Sequence, residues 1–313
     1  MRIKEFQYGG WENNLQLANE HVEVIISLDV GPRILSYKTR SGENILKNYP
    51  EQMGTAGETK WMIRGGHRFW IAPEDEILSY VPDNQPVKHD LRAENGVHLV
   101  NEGVDPWEVR KEMTVTLTEN SPELIILHRA TNAGDKPIEI ATWGLSVMAP
   151  GGLEIIPLPP LGQHPRDLLP NRRMIIWPYT DMSDARWRFG WKFITLRQTA
   201  DGVPAKIGLA HKERWSGYLM RNALFVKTFD YLEGENYPDW GCNFETFTNS
   251  EMIEIEALGP LKNLAPGEST EHTERWYLLD VTEQPESLKE RALAEWIEPK
   301  LQSLGLLNAP ISQ

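Results

Sequence analysis

The chain has 313 residues, 40% apolar and 25% charged, with a formal net charge of -13. That length can bury one large β core or two medium ones, and the acidic balance argues against nucleic acid or an anionic membrane as the main partner. A single cysteine, Cys242, excludes an internal disulfide framework and a thiolate metal cluster, and it fits a reducing compartment.

Residues 1–6 contain no apolar signal region, and no apolar run approaches the ~20 residues that span a bilayer, so a cytoplasmic location is expected. Residues 22–28 read as the first clear strand, followed by turns at Gly31-Pro32 and Ser41-Gly42. Arg64-Gly-Gly-His-Arg-Phe-Trp70 is the densest polar and aromatic cluster. Its two glycines permit a close backbone approach, and Arg68 offers a rigid fork for vicinal hydroxyls or a carboxylate. In a plain strand His67 and Arg68 would face opposite sides, so they share a site only across a bulge. The alternative is a tight turn with a salt-bridged arginine.

Residues 113–118 alternate strictly, with Met113, Val115 and Leu117 on one face and threonines on the other. Residues 124–127 and 138–147 also read as strands, separated by the turn Asn132-Ala-Gly-Asp-Lys-Pro137. The stretch 149–179 carries seven prolines (Pro150, Pro157, Pro159, Pro160, Pro165, Pro170 and Pro178) and reads as a long ordered loop over the sheet, or as a domain boundary. His164 within it is either a lid residue or a solvated loop histidine. A turn follows at Asp201-Gly202, and a strand at 253–258 precedes the Pro266-Gly267 turn. A C-terminal helix is expected at 283–303, with Pro285 near its start, Leu288, Ala292 and Trp296 on one face, and Pro299 limiting it. The fold class is therefore all-β: one domain over 1–282, the helix packed on it, and a tail at 304–313.

The eight histidines show no His-x-His or His-Glu-x-x-His spacing, so neither metal nor cofactor is expected. Twelve tryptophans suit stacking on sugar C–H faces, although large β cores also use them. Glu245, in Gly241-Cys-Asn-Phe-Glu-Thr246, has no cationic sequence neighbour. It is either a general base for a hydroxyl on a neutral polyol or a surface carboxylate. Glu254 and Glu256, which share a strand face with Met252, are its rivals.

Five segments together resemble the galactose mutarotase-like (aldose 1-epimerase) superfamily over about residues 20–280. They are Gly31-Pro-Arg-Ile-Leu-Ser-Tyr37, Gly65-Gly-His-Arg68, Asn132-Ala-Gly-Asp-Lys-Pro137, the Glu245 segment and Leu264-Ala-Pro-Gly-Glu268. The resemblance implies a large antiparallel β-sandwich with a sugar site on its concave face. There a glutamate, at Glu245, takes the anomeric hydroxyl proton while a histidine protonates the ring oxygen. This chain departs from that pattern, because Trp143 stands where the family has its histidine and His67 replaces the asparagine of an Asn-Arg pair. The resulting expectation is an atypical branch in which Glu245 is the base and His67 the acid, with His164 the next candidate acid. Arg68, Trp70, Trp143, His164 and Asn243 would contact a small-molecule carbohydrate. The alternatives are a non-catalytic carbohydrate-binding protein, or a lyase or hydrolase pairing Glu245 with Glu254 or Glu256.

Overall fold

A computed structural model describes residues 2–92, 95–101 and 108–307. The strands form two antiparallel sheets, of eleven and ten strands, facing each other across a shared apolar core. The alternation at 113–118 belongs to the strand Val109–Leu117, where Met113, Val115 and Leu117 are buried and the intervening threonines half-buried. The other expected strands appear as Val22–Ser27, Glu123–Asn132, Ile138–Met148 and Ile253–Leu258. No described helix is long and apolar enough to cross a membrane.

Two expectations need correction. The proline-rich stretch is not one loop, because Leu153–Pro157 is a fully buried strand of the second sheet, paired on both sides. Met174–Ile176 adds an edge strand to the first sheet, leaving an exposed segment over 160–171. A short apolar run bounded by glycine is what an interior strand requires, and it outweighs the surrounding prolines. The helix runs Glu290–Ser303 and continues through Pro299. It buries Leu293, Ala294, Ile297 and Leu301 against Leu153, Phe193 and Trp215 of the second sheet, whereas Leu288, Ala292 and Trp296 lie half-buried beside that seam. Pro299 is exposed and lies in the last turns, where losing one backbone donor disturbs few bonds. Residues 308–313 of the expected tail lie outside the described residues.

Five neighbouring strands of the first sheet position the site. In spatial order they are His67–Ala72, Ile138–Met148, Ile253–Leu258, Phe244–Thr248 and Ala205–Leu209. Their register aligns Arg68, Leu145, Glu256, Glu245 and Gly208 in one cross-strand row. One residue along each strand, the row reads His67, Ser146, Ile255, Thr246 and Ile207, and by the period of two it faces the opposite side. The second row points between the sheets.

That interior is partly polar. His67 Nε2 lies 2.8 Å from His128 Nε2, and Lys227 Nζ lies 3.0 Å from Glu274. Gly144 is needed here, since a Cβ would strike the Glu274 carboxylate. Glu154, on the second sheet, accepts hydrogen bonds from Thr246 at 2.6 Å and Ser216 at 3.0 Å, joining the two sheets. Burial pushes its carboxyl up to about 8, against the lowering effect of those two hydroxyls.

A folded pKa above the unfolded one means that Glu154 contributes most stability below the ordinary carboxylate range, a contribution lost as pH rises through about 8. The stability of wild type relative to Glu154→Gln is therefore expected to fall as pH rises from the ordinary carboxylate range to about 8, by up to about 1.4 kcal/mol per pH unit. Denaturant unfolding at several pH values measures it; a pH-independent difference would contradict the assignment.

Candidate functional site

Gly65 and Gly66 carry the chain into the His67–Ala72 strand with φ of 83° and 72°. A Cβ at either would collide with the carbonyl of Lys47 or Ile34, so the close approach expected of these glycines is present. Beyond them the strand is regular, and its alternation sends His67 inward and Arg68 outward. The bulge that would have brought both to one site is not there. His67 Nδ1 is 2.9 Å from Ser146 Oγ, and burial, followed by the nearby Lys227, holds its pKa well below the ordinary value. A fully buried, neutral imidazole between the sheets has no access to a ligand on the outer face.

Arg68, Leu145 and Glu256 of the outward row line a pocket of about 220 Å³. Trp61, Trp70, Trp143, Tyr80 and Tyr179 supply aromatic walls, and Arg68, Lys206, Glu74, Glu254 and Glu256 supply charge. Arg68 Nη1 donates to Glu254 Oε1 at 2.6 Å, and its guanidinium lies 4.5 Å from the Trp70 ring centroid. Lys206 lies between two carboxylates. Its Nζ is 2.6 Å from Glu245 Oε2, an ion pair outside hydrogen-bonding geometry, and donates to Glu256 Oε2 at 3.0 Å. Trp143 Nε1 donates to the same Glu256 oxygen at 3.0 Å, and Lys206 Nζ sits 4.7 Å from the Trp143 centroid and 4.8 Å from that of Trp177.

The electrostatics follow from this packing. Burial opposes the charge on Lys206, but the two carboxylates outweigh it and hold the ammonium well above its ordinary value. Burial raises Glu245 well above the carboxylate range, with Lys206 pulling the other way, and raises Glu256 for the same reason. Two buried carboxylates around one ammonium favour retaining one proton. Glu245, which has no other donor aimed at it, is the better place for that proton than Glu256, which Trp143 also stabilises.

The expected residues thus separate. Arg68, Trp70 and Trp143 meet at the pocket, and the rival carboxylates Glu254 and Glu256 line it. Glu245 lies behind Lys206, completely buried and not on the wall. His164 is exposed in the proline-rich segment and does not line the pocket. Asn243 is buried and spent on the backbone, accepting from His211 N at 2.6 Å and donating to Asp230 O at 3.0 Å. Sequence reasoning missed Lys206, Trp61, Tyr80 and Tyr179. The one local signal for Lys206 was a lysine inside the otherwise uncharged run Ala205-Lys-Ile-Gly-Leu209.

Among the described residues, His67, His128 and Glu274 form the group with ligand atoms close enough for a metal, within 4.8 Å of one another. His67 and His128 are paired with each other, and Glu274 is paired with Lys227. The two facing nitrogens, 2.8 Å apart, sit at hydrogen-bond separation rather than the roughly 3.3 Å that two imidazoles span around tetrahedral zinc.

No family model and no curated protein sequence matches the chain. Solved structures do. A galactose mutarotase-like protein from Lactobacillus casei superposes with a TM-score of 0.59 at 12% identity, over 85% of this chain and 100% of that one. A galactose mutarotase-like protein from Clostridium acetobutylicum gives 0.55 at 12% identity, over 89% and 98%. A galactose mutarotase related enzyme from Lactobacillus acidophilus gives 0.51 at 11% identity, over 87% and 99%. The chain therefore has the galactose mutarotase-like fold.

Removing Lys206 leaves the Glu256 carboxylate, and Glu245 wherever it ionises, buried without a cation. Lys206→Met is expected to lose about 3–5 kcal/mol of stability at mildly alkaline pH, and to regain much of it on acidification as the carboxylates take up protons. Unfolding at two pH values tests this; a small or pH-independent loss would contradict the arrangement.

Proposed function

We propose that this protein is a carbohydrate-active enzyme of the epimerase type, with its site in the aromatic pocket on the outer face of the first sheet. The observation that carries this reading is the set of unspent polar atoms in the pocket residues. Trp61 Nε1, Arg68 Nε and Glu256 Oε1 are buried without a hydrogen-bond partner. Buried polar atoms are rarely left unpaired, and each costs about 1–3 kcal/mol. Two donors and one acceptor among tryptophan faces match a neutral polyol, whose hydroxyls both give and accept and whose C–H faces stack on indole.

In the proposed chemistry Glu256 takes the proton of the anomeric hydroxyl, and Lys206 gives a proton to the ring oxygen as the C1–O5 bond breaks. Glu245, kept protonated by burial, refills Lys206 from behind. The reverse transfers close the ring on either face of C1. Glu245 is thus a proton reserve in this reading, and the pocket-facing base is its cross-strand neighbour Glu256. The fold of the structural neighbours is consistent with such a site.

A second reading, sugar binding without turnover, has one observation in its favour. Lys206 is held so firmly by its two carboxylates that it gives up a proton reluctantly, and no described histidine lines the pocket.

Anomer exchange followed by NMR across a panel of aldoses separates the two. Wild type is expected to accelerate exchange for at least one sugar, and Glu256→Gln to lower that rate by about 100-fold or more while still binding. Wild-type rates in Glu256→Gln would remove it as the base. Binding without acceleration in wild type would favour the second reading.

A further inference from the structure

The charge around the pocket is unevenly spent. Arg68 is matched by Glu254, with both side chains under a tenth exposed, and Lys206 is matched twice, by Glu245 and Glu256. Neither cation is free for an anionic ligand. A phosphate or carboxylate drawing on Arg68 would strip Glu254 of its buried partner, a costly exchange in a low-dielectric wall. Glu74 differs from the other carboxylates. Its partner is neutral, the Tyr80 hydroxyl, which donates to Glu74 Oε1 at 2.6 Å. It stands at the exposed rim and lines the same pocket.

Beside Glu74 three aromatic rings meet. The centroids of Trp61 and Trp70 are 5.4 Å apart, those of Trp61 and Tyr80 5.3 Å, and those of Trp70 and Tyr80 5.2 Å. Their electron-rich faces already attract one cation, since the Arg68 guanidinium lies 4.5 Å from the Trp70 centroid and 5.6 Å from that of Trp61. The rings pack tilted or edge to face, and the face any of them leaves open beside a carboxylate attracts an ammonium group.

We propose that the pocket takes an amino sugar with its amine protonated, held by Glu74 and the Trp61–Trp70–Tyr80 corner, and that it discriminates against phosphorylated and uronic sugars. The proposal rests on the carbohydrate site described above and names its substrate class. The remaining hydroxyls of such a sugar meet Trp61 Nε1, Arg68 Nε and Glu256 Oε1.

Calorimetry at low ionic strength, below the pKa of the amine, tests it with glucosamine and galactosamine against glucose, galactose, their N-acetylated amines and glucose 6-phosphate. The free amines are expected to bind about threefold or more tightly than the neutral sugars. That advantage should fall with added salt, and in Glu74→Gln the ratio of amine to neutral affinity should drop to about one. Glucose 6-phosphate binding as tightly as glucosamine would overturn the proposal, as would an amine preference that survives Glu74→Gln. Binding of glucose without any amine preference defeats this inference alone, whereas a wild-type protein that binds none of these sugars defeats the carbohydrate site itself.

Discussion

The site depends on one ammonium, that of Lys206, placed between the carboxylates of Glu245 and Glu256, all three buried on the pocket side of the first sheet. Two acids paired in register on adjacent antiparallel strands stand close enough to repel, and burial magnifies the repulsion. A lysine from the next strand removes it, and the faces of Trp143 and Trp177 shield that lysine from water. Three strands are thereby tied together by charge where an ordinary sheet face would use aliphatic packing. The tie stabilises only while all three members are present. Well-packed apolar residues could hold the strands as well or better, and the proposed function gives the charged group a chemical role instead.

The two faces of these strands carry different chemistry, and the strict period of two keeps them apart. Outward, Arg68, Glu254 and Glu256 line an aromatic pocket, with Glu245 buried behind Lys206. Inward, His67, Ser146 and Thr246 reach toward His128, Lys227, Glu274 and Glu154 of the second sheet. Three of these strands thus connect the site to a polar interior network. Gly144, whose missing side chain makes room for Glu274, lies between Trp143 and Leu145 of the pocket wall. Close sheet packing and pocket shape are set at the same three residues.

Much of the fold was legible because it depends on local patterns. Alternation at Met113, Val115 and Leu117, the glycines at 65 and 66 and the five ordered motifs sufficed for an antiparallel sandwich. The buried strand Leu153–Pro157 was hidden by flanking prolines, whose effect on the backbone stops at its ends. The site was legible only in part. Arg68, Trp70 and Trp143 were expected at one site and line one pocket, and Glu254 and Glu256, weighed as rivals to Glu245, line it too. Lys206 was not, because its partners lie about forty and fifty residues away and meet it only through strand pairing that the sequence does not display. His67 was misplaced for the complementary reason. Its neighbours favoured a shared site with Arg68, and only the absence of a bulge after Gly66 decides that the two diverge.

A crystal structure of the protein with a bound aldose or amino sugar tests the central claim most directly. The account predicts a sugar ring stacked among Trp61, Trp70 and Trp143, with hydroxyls hydrogen-bonded to Glu256 Oε1 and Arg68 Nε. A sugar bound elsewhere on the molecule, with those two atoms still unpartnered, would contradict it.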